Sequence, residues 1–110
     1  MSYQHKELAA GRWNGLPLLE QMAHVGSEVE RALRWKMKGN ADYCLQACAR
    51  ALELLDLSLD NPKNKSHLRE IARIREALAD YFWGKNEFAS TENSWQKYFS
   101  QFAYAARKKY

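Results

Sequence analysis

The chain has 110 residues, of which 46% are hydrophobic and 27% are charged, and its formal net charge is +4. This composition is that of a single globular domain with enough apolar residues to bury a core, and it excludes a disordered chain. Two prolines and five glycines are too few for an all-β fold, which needs many turns. We therefore expect one helical domain that spans residues 1–110.

The sequence carries no sign of a membrane segment or of a metal centre. The first residues lack the apolar run of a signal peptide, and no later stretch approaches the roughly 18 apolar residues of a membrane span. Cys44 and Cys48 are four residues apart on a predicted helix, where they suit a reduced pair of small core residues. No His or Cys lies nearby in the sequence to complete a zinc site. We expect a cytoplasmic protein that binds no metal or cofactor and does not enter a membrane.

Four long helices are predicted from apolar residues that recur at three- and four-residue steps. Pro17 suits the first position of the first helix. Gly39 ends that helix directly before Asn40, which can cap the second, and Pro62 can begin the third. The predicted ranges are 17–38, 41–59, 62–83 and 92–107, and a further short helix near residues 2–10 is compatible with the pattern. Amphipathic helices with short connections predict an all-α fold, an up-down-up-down four-helix bundle.

Arg75 is out of place, because a rotation of about 100° per residue puts it inside the apolar stripe of the third helix. One interpretation is that it lies at the edge of the stripe and reaches water. The other is a buried ion pair, since an unpaired buried charge would cost several kcal/mol. Glu28 is the expected partner because it follows Gly26, whose missing side chain leaves room for a neighbouring helix. Glu53 and Asp56 are the alternatives.

The start of the third helix carries a dense basic cluster, formed by Lys63, Lys65, Arg69 and Arg73. Helix N-termini favour negative charge, so these cations need an offset. One interpretation is neutralisation by the acidic end of the second helix, which is formed by Glu53, Asp56 and Asp60. The other is an anion site for a phosphate group or an RNA backbone.

The aromatic side chains exceed what one small core can take up. Trp35 lies off the apolar stripe of the first helix, and Tyr81 and Trp83 point around the third in different directions. Tyr104 lies opposite the core face of the fourth helix. Exposed aromatic residues in this number indicate an interface, and a homodimer accounts for them most simply. Stacking on single-stranded nucleic acid, with nearby lysines on the phosphates, is the alternative.

The phrases RALRWKMKGN (31–40) and ALELLDLSLDNPKN (51–64) resemble those of small uncharacterised bacterial helical-bundle proteins. At fold level, the helix pattern over most of the chain is also similar to HEPN-type bundles, whose members partner nucleotidyltransferases in toxin–antitoxin pairs or cut RNA. HEPN ribonucleases carry an Arg and a His late in the bundle, whereas the last helix here has no histidine, and the final His is His67. The resemblance therefore implies a fold and a partner role, and it carries no catalytic residue over to this chain.

No residue pattern in the sequence indicates an enzyme. The sequence has no Gly-rich phosphate loop, no nucleophile with an obvious base and no metal-ligand spacing. We expect a non-catalytic interaction module that forms a homodimer and binds another protein. The alternatives are binding of RNA or a phosphate ligand through the basic cluster, and a HEPN-like role as the partner of a nucleotidyltransferase.

Overall fold

The computed structural model describes residues 11–108. This part of the chain is helical and contains no strand, which confirms the predicted all-α class. Residues 11–14 are helical, and they are followed by α1 (Leu18–Met37), α2 (Ala41–Asp60), a 3₁₀ helix (Pro62–His67), α3 (Leu68–Phe82) and α4 (Glu92–Lys108). The short helix predicted near residues 2–10 lies outside the described residues.

α1 and α2 form an antiparallel hairpin joined by a very short turn. Gly39 takes a φ of +76°, a left-handed conformation that glycine adopts without steric cost. The Asn40 side chain then accepts a hydrogen bond from the Tyr43 N–H at 3.0 Å, which caps α2. The tight turn predicted from Gly39 and Asn40 is confirmed.

The core lies between α1 and its two main neighbours, α2 and α4, while α3 packs against α2. All four helices contribute apolar side chains to it, including Val25, Leu55, Leu78 and Phe99. A second cluster joins α1 to the first half of α2 through small side chains, which are Ala32, Cys44, Ala47 and Cys48. These small residues let the two helices approach closely near their shared turn.

Both cysteines are buried, as expected for core residues. Burial raises the pKa of the Cys48 thiol to about 12. Burial also raises the pKa of the Cys44 thiol, although the nearby charge of Lys36 acts in the opposite direction. Both thiols therefore stay protonated at neutral pH, which suits inert packing rather than nucleophilic chemistry.

α4 approaches α1 closely at Gly26. A Cβ atom added at Gly26 would lie 2.9 Å from the Cβ atom of Phe99, well inside the usual contact distance between carbon atoms. The room that the sequence predicts beside Gly26 is therefore filled by α4.

A buried polar network ties the start of α1 to the end of α2 and to the 3₁₀ helix. Gln21 Oε1 accepts hydrogen bonds from Ser58 Oγ and from Asn64 Nδ2, both at 2.9 Å. Ser58 Oγ in turn accepts one from Trp13 Nε1 at 3.0 Å. Gln21 Nε2 donates to the carbonyl of Trp13 at 3.0 Å, so the network also holds the residues that precede α1.

The same network changes how the third helix begins. Asn64 turns inward to reach Gln21, and Asn61 accepts a hydrogen bond from the Lys63 N–H at 3.1 Å. The chain after Asn61 is thereby held in a tight 3₁₀ helix, and α3 begins at Leu68. The helix predicted over residues 62–83 thus consists of a 3₁₀ segment followed by an α-helix.

Gly26→Ala should lower the free energy of unfolding by about 1–3 kcal/mol, because the new methyl group forces Phe99 and α4 away from α1. Chemical denaturation followed by circular dichroism measures this loss. Gly11→Ala is the matched control, since a Cβ atom at Gly11 has no atom within 4 Å. Wild-type stability in Gly26→Ala would show that α4 does not pack on α1 at this point.

Candidate protein-interaction surface

Three helix termini meet at one end of the molecule and bring aromatic side chains together. The ring of Trp35 in α1 lies 4.8 Å from the ring of Tyr43 in α2, measured between centroids. Lys36 Nζ, also in α1, lies 4.2 Å from the centre of the Tyr81 ring in α3. The C-terminal ends of α1 and α3 therefore adjoin the N-terminal end of α2.

The Asp80 carboxylate helps to hold the loop between α3 and α4 beside the same end. The two oxygens of Asp80 accept the N–H groups of Glu87 at 2.9 Å and of Phe88 at 3.0 Å. Asn86 and Ala89 take positive φ values of 57° and 54°, conformations that cost non-glycine residues about 1–3 kcal/mol each. Such strain persists where the surroundings fix the backbone, and here the fixed backbone leaves the Phe88 side chain exposed.

We define the aromatic end as the large apolar side chains that these helix ends and the adjoining loop carry, which are Trp35, Met37, Tyr43, Tyr81, Phe82, Trp83 and Phe88. Four of them are at least 49% exposed, namely Met37, Tyr43, Trp83 and Phe88. Tyr81 and Phe82 line a pocket of about 280 Å³ together with Lys36 and Cys44. Single exposed apolar residues are ordinary on a protein surface, whereas a gathered set of this kind is typical of an interaction site.

Charges of both signs surround the aromatic end. Lys36, Lys38 and Lys85 are exposed there, and so are Asp42 and Glu87. Within residues 11–108, none of these five side chains lies within 4.0 Å of an opposite charge. The ammonium groups of Lys36 and Lys38 lie over aromatic rings instead. The aromatic end thus combines exposed apolar side chains with charges of both signs.

The structure brings together three of the four aromatic residues predicted to form an interface. Trp35, Tyr81 and Trp83 all belong to the aromatic end. Tyr104 is also exposed, but it follows Trp95 by nine residues on α4, which places it roughly 13 Å further along that helix. Trp95 is the α4 residue whose ring lies 6.2 Å from that of Tyr81. Tyr104 therefore lies away from the aromatic end.

Sequence reasoning misses Met37, Tyr43 and Phe88. Met37 continues the apolar stripe of α1 and is therefore predicted to lie in the core, yet it is 74% exposed. The reason is that α1 reaches its last turn just where the chain reverses at Gly39. Phe88 lies in an irregular segment without hydrophobic periodicity. A large apolar residue inside a short polar loop is the signal that could have pointed to it.

The prediction that Arg75 forms a buried pair with Glu28 is wrong. Arg75 Nε and Nη2 donate to the two carboxylate oxygens of Asp56 at 2.6 Å and 3.2 Å, and this hydrogen bonding raises the pKa of the guanidinium group. The pair lies on the surface between α2 and α3, since its side chains are 37% and 51% exposed. Glu28 instead lies 3.3 Å from Arg31 and 3.6 Å from Arg50, because α1 packs mainly against α2 and α4.

The predicted anion site is exposed along the 3₁₀ helix and the first turns of α3. We name it the basic ridge, and it consists of Lys63, Lys65, Arg69 and Arg73. In the part of the chain that the structure describes, no carboxylate lies within 4.0 Å of these four cationic groups. The ridge therefore forms no direct ion pair with the acidic end of α2 in residues 11–108.

Among the described residues, no three His, Cys, Asp or Glu side chains are grouped so that they could hold a metal ion. None of the described helices combines the length and the apolar composition needed to cross a membrane.

No family model, curated protein or solved structure matches the chain. The similarity to HEPN-type bundles therefore stays a prediction, and the functional argument depends on the surfaces described above.

Arg75→Met should reduce the free energy of unfolding by less than about 1 kcal/mol, because exposed ion pairs contribute little. A double-mutant cycle with Asp56→Asn in urea melts measures the coupling between the two side chains. Arg73→Met is the control, because Arg73 has no carboxylate within 4.0 Å in residues 11–108. A loss of 3 kcal/mol or more, the size expected for a broken buried pair, would contradict the surface assignment.

Asp80→Asn should loosen the loop between α3 and α4 without unfolding the helices. The asparagine side chain has only one acceptor oxygen, so it can accept only one of the two backbone N–H groups. Its NH₂ group is a donor and would face the other N–H group, which then has no acceptor. Hydrogen exchange by NMR should then show the amides of Glu87 and Phe88 exchanging at least about tenfold faster, with core amides unchanged. Glu87→Gln is the control, because it leaves both backbone bonds in place. Unchanged exchange in Asp80→Asn would mean that Asp80 does not hold the loop.

Proposed function

We propose that this protein is a non-catalytic interaction module that forms a homodimer through its aromatic end. In this proposal the four long helices form an up-down-up-down bundle that serves as a rigid support for the interface. The module acts in the cytoplasm, where its two buried thiols stay reduced.

The gathering of exposed apolar side chains at one end is the observation that carries the proposal. Met37, Tyr43, Trp83 and Phe88 come from four different segments of the chain, and all four are exposed. Aromatic residues and methionine are enriched in the centres of protein interfaces, whereas lysine and acidic residues are depleted there and found around them. The aromatic end has this composition, since exposed aromatic residues and methionine occur there beside charged residues.

Pre-organisation of the interface supports the proposal further. The loop that carries Phe88 is fixed by the Asp80 carboxylate and by paired hydrogen bonds between Asn86 and Ser90, at 2.8 Å and 2.9 Å. A side chain displayed on a fixed backbone loses less conformational entropy when it is covered than one on a free loop. Such a loop suits a residue that is used for recognition.

Charge indicates a second copy of the chain as the occupant of this surface. A two-fold symmetric contact places each surface against itself, so charges of one sign alone would repel their copies, whereas charges of both signs can pair across the contact. Lys36 and Lys38 stand close in sequence to Asp42, and Lys85 stands close to Glu87, all of them exposed. A nucleic acid would be repelled by the acidic members of this set, and a highly charged partner of either sign would meet like charges.

Replacement of Trp83 tests the homodimer. We expect the wild-type protein to sediment at micromolar concentration with twice the chain mass of 12.8 kDa. Trp83→Ala should raise the dimer dissociation constant by at least about tenfold, since buried tryptophan is a frequent interface hot spot. Sedimentation equilibrium over a concentration series measures both quantities.

Tyr104→Ala provides the matched control, because it removes an aromatic side chain of similar exposure from α4, away from the aromatic end. This variant should dimerise like the wild type. At concentrations low enough to keep all three proteins monomeric, the unfolding curves of both variants should coincide with that of the wild type, since each side chain is exposed. A wild-type monomer at high micromolar concentration, or a dimer that Tyr104→Ala weakens and Trp83→Ala does not, would overturn the proposal.

A further inference from the structure

The basic ridge presents four exposed cations over a short stretch of the chain. Arg69 and Arg73 are four residues apart on α3, so they lie on one face and about 6 Å apart along the helix axis. Lys63 and Lys65 lie on the 3₁₀ helix, on either side of the buried Asn64. All four side chains are exposed. They concentrate positive charge at the start of α3.

Two acidic groups on the adjoining helices, Glu70 and Asp56, are engaged by other residues. Glu70 Oε2 accepts a hydrogen bond from Tyr98 Oη at 3.0 Å, which joins the start of α3 to α4. Asp56 accepts hydrogen bonds from Nε and Nη2 of Arg75. The charge of the ridge is therefore left without a carboxylate partner among residues 11–108.

Unpaired cations at this position are unfavourable for the isolated protein. The N-terminal end of α3 carries the positive end of the helix dipole, and Lys63 and Lys65 add to it. His67 makes no side-chain hydrogen bond that would cap the helix. A bound anion would neutralise both the side chains and the helix end, whereas nothing in the described fold uses this charge.

Two exposed side chains between the cations indicate what kind of anion fits. His67 and Leu68 lie between Lys65 and Arg69, and both are exposed. Bases of a single strand stack on aromatic or apolar side chains while basic residues follow the phosphates. A duplex keeps its bases stacked on each other and would leave His67 and Leu68 against its sugar-phosphate backbone.

We propose that the basic ridge binds single-stranded nucleic acid, with Lys63, Lys65, Arg69 and Arg73 on its phosphates and His67 against a base. This site goes beyond the proposed dimer and does not depend on it, because the ridge lies at the start of α3 and the aromatic end at its finish.

The test is the fluorescence anisotropy of a labelled 12-nucleotide RNA titrated with the full chain at several KCl concentrations. Neutralising up to four phosphates gives a log–log slope of about −2 to −3, at roughly −0.7 per phosphate in a single strand. Lys65→Glu with Arg69→Glu should abolish binding without lowering the melting temperature, since acidic residues suit the start of a helix. His67→Ala should weaken binding by about fivefold or more through lost stacking. A single-stranded DNA of the same sequence should also bind, since the phosphodiester backbone is the main ligand.

Lys97→Glu with Lys108→Glu is the matched control, because it changes the net charge equally on the exposed face of α4. This control should bind like the wild type. If the reversal on the ridge unfolds the protein, Lys65→Gln with Arg69→Gln replaces it and should still lose most of the binding. The proposal is overturned if binding does not depend on salt, or if the α4 control loses it instead. It is equally overturned if duplex RNA or vesicles of anionic phospholipid bind more tightly than the single strand.

Discussion

The hydrogen bonding of Gln21 is the constraint on which the arrangement of the two surfaces depends. This buried side chain donates to the carbonyls of Trp13 and Leu16 and accepts from Ser58 and Asn64, so its full bonding capacity is used. A buried network that is fully satisfied fixes one geometry, because every alternative strands a polar group at a cost of about 1–3 kcal/mol. The network thereby sets the register of α1 on α2 and folds the chain after α2 into a 3₁₀ helix.

Both surfaces follow from this register. At the end with the network, Asn64 points inward, and its neighbours Lys63 and Lys65 are turned toward solvent as part of the basic ridge. At the opposite end, α1 runs on until the turn at Gly39, so Met37 extends past the core and becomes exposed. The apolar stripe of α1 therefore serves the core over most of its length and a surface at its last turn.

Much of the fold could be predicted from sequence, since hydrophobic periodicity and the Gly39–Asn40 turn are local signals. The choice between Glu28 and the alternative Asp56 as the partner of Arg75 could not, because it depends on which helices are neighbours, and a helical wheel does not show which helix a given face contacts. The hydrogen-bond network around Gln21 could not be predicted either, because Gln, Ser and Asn are mostly found on protein surfaces. For the candidate site, the sequence shows that the aromatic residues are too many for one small core. It does not show that Tyr104 lies apart from the aromatic end, because that depends on how α4 packs.

The placement of the two surfaces at opposite ends of α3 has a consequence if both proposals hold. α3 is 15 residues long, so the surfaces are separated by roughly 22 Å, and changes at one should not alter the other. A dimer joined at its aromatic ends would carry its two basic ridges on the far sides. One strand long enough to reach both ridges would then bind as a bivalent ligand, at a high effective concentration for the second contact. Dimerisation would in this way strengthen binding to long strands while leaving the affinity of each ridge for a short one unchanged.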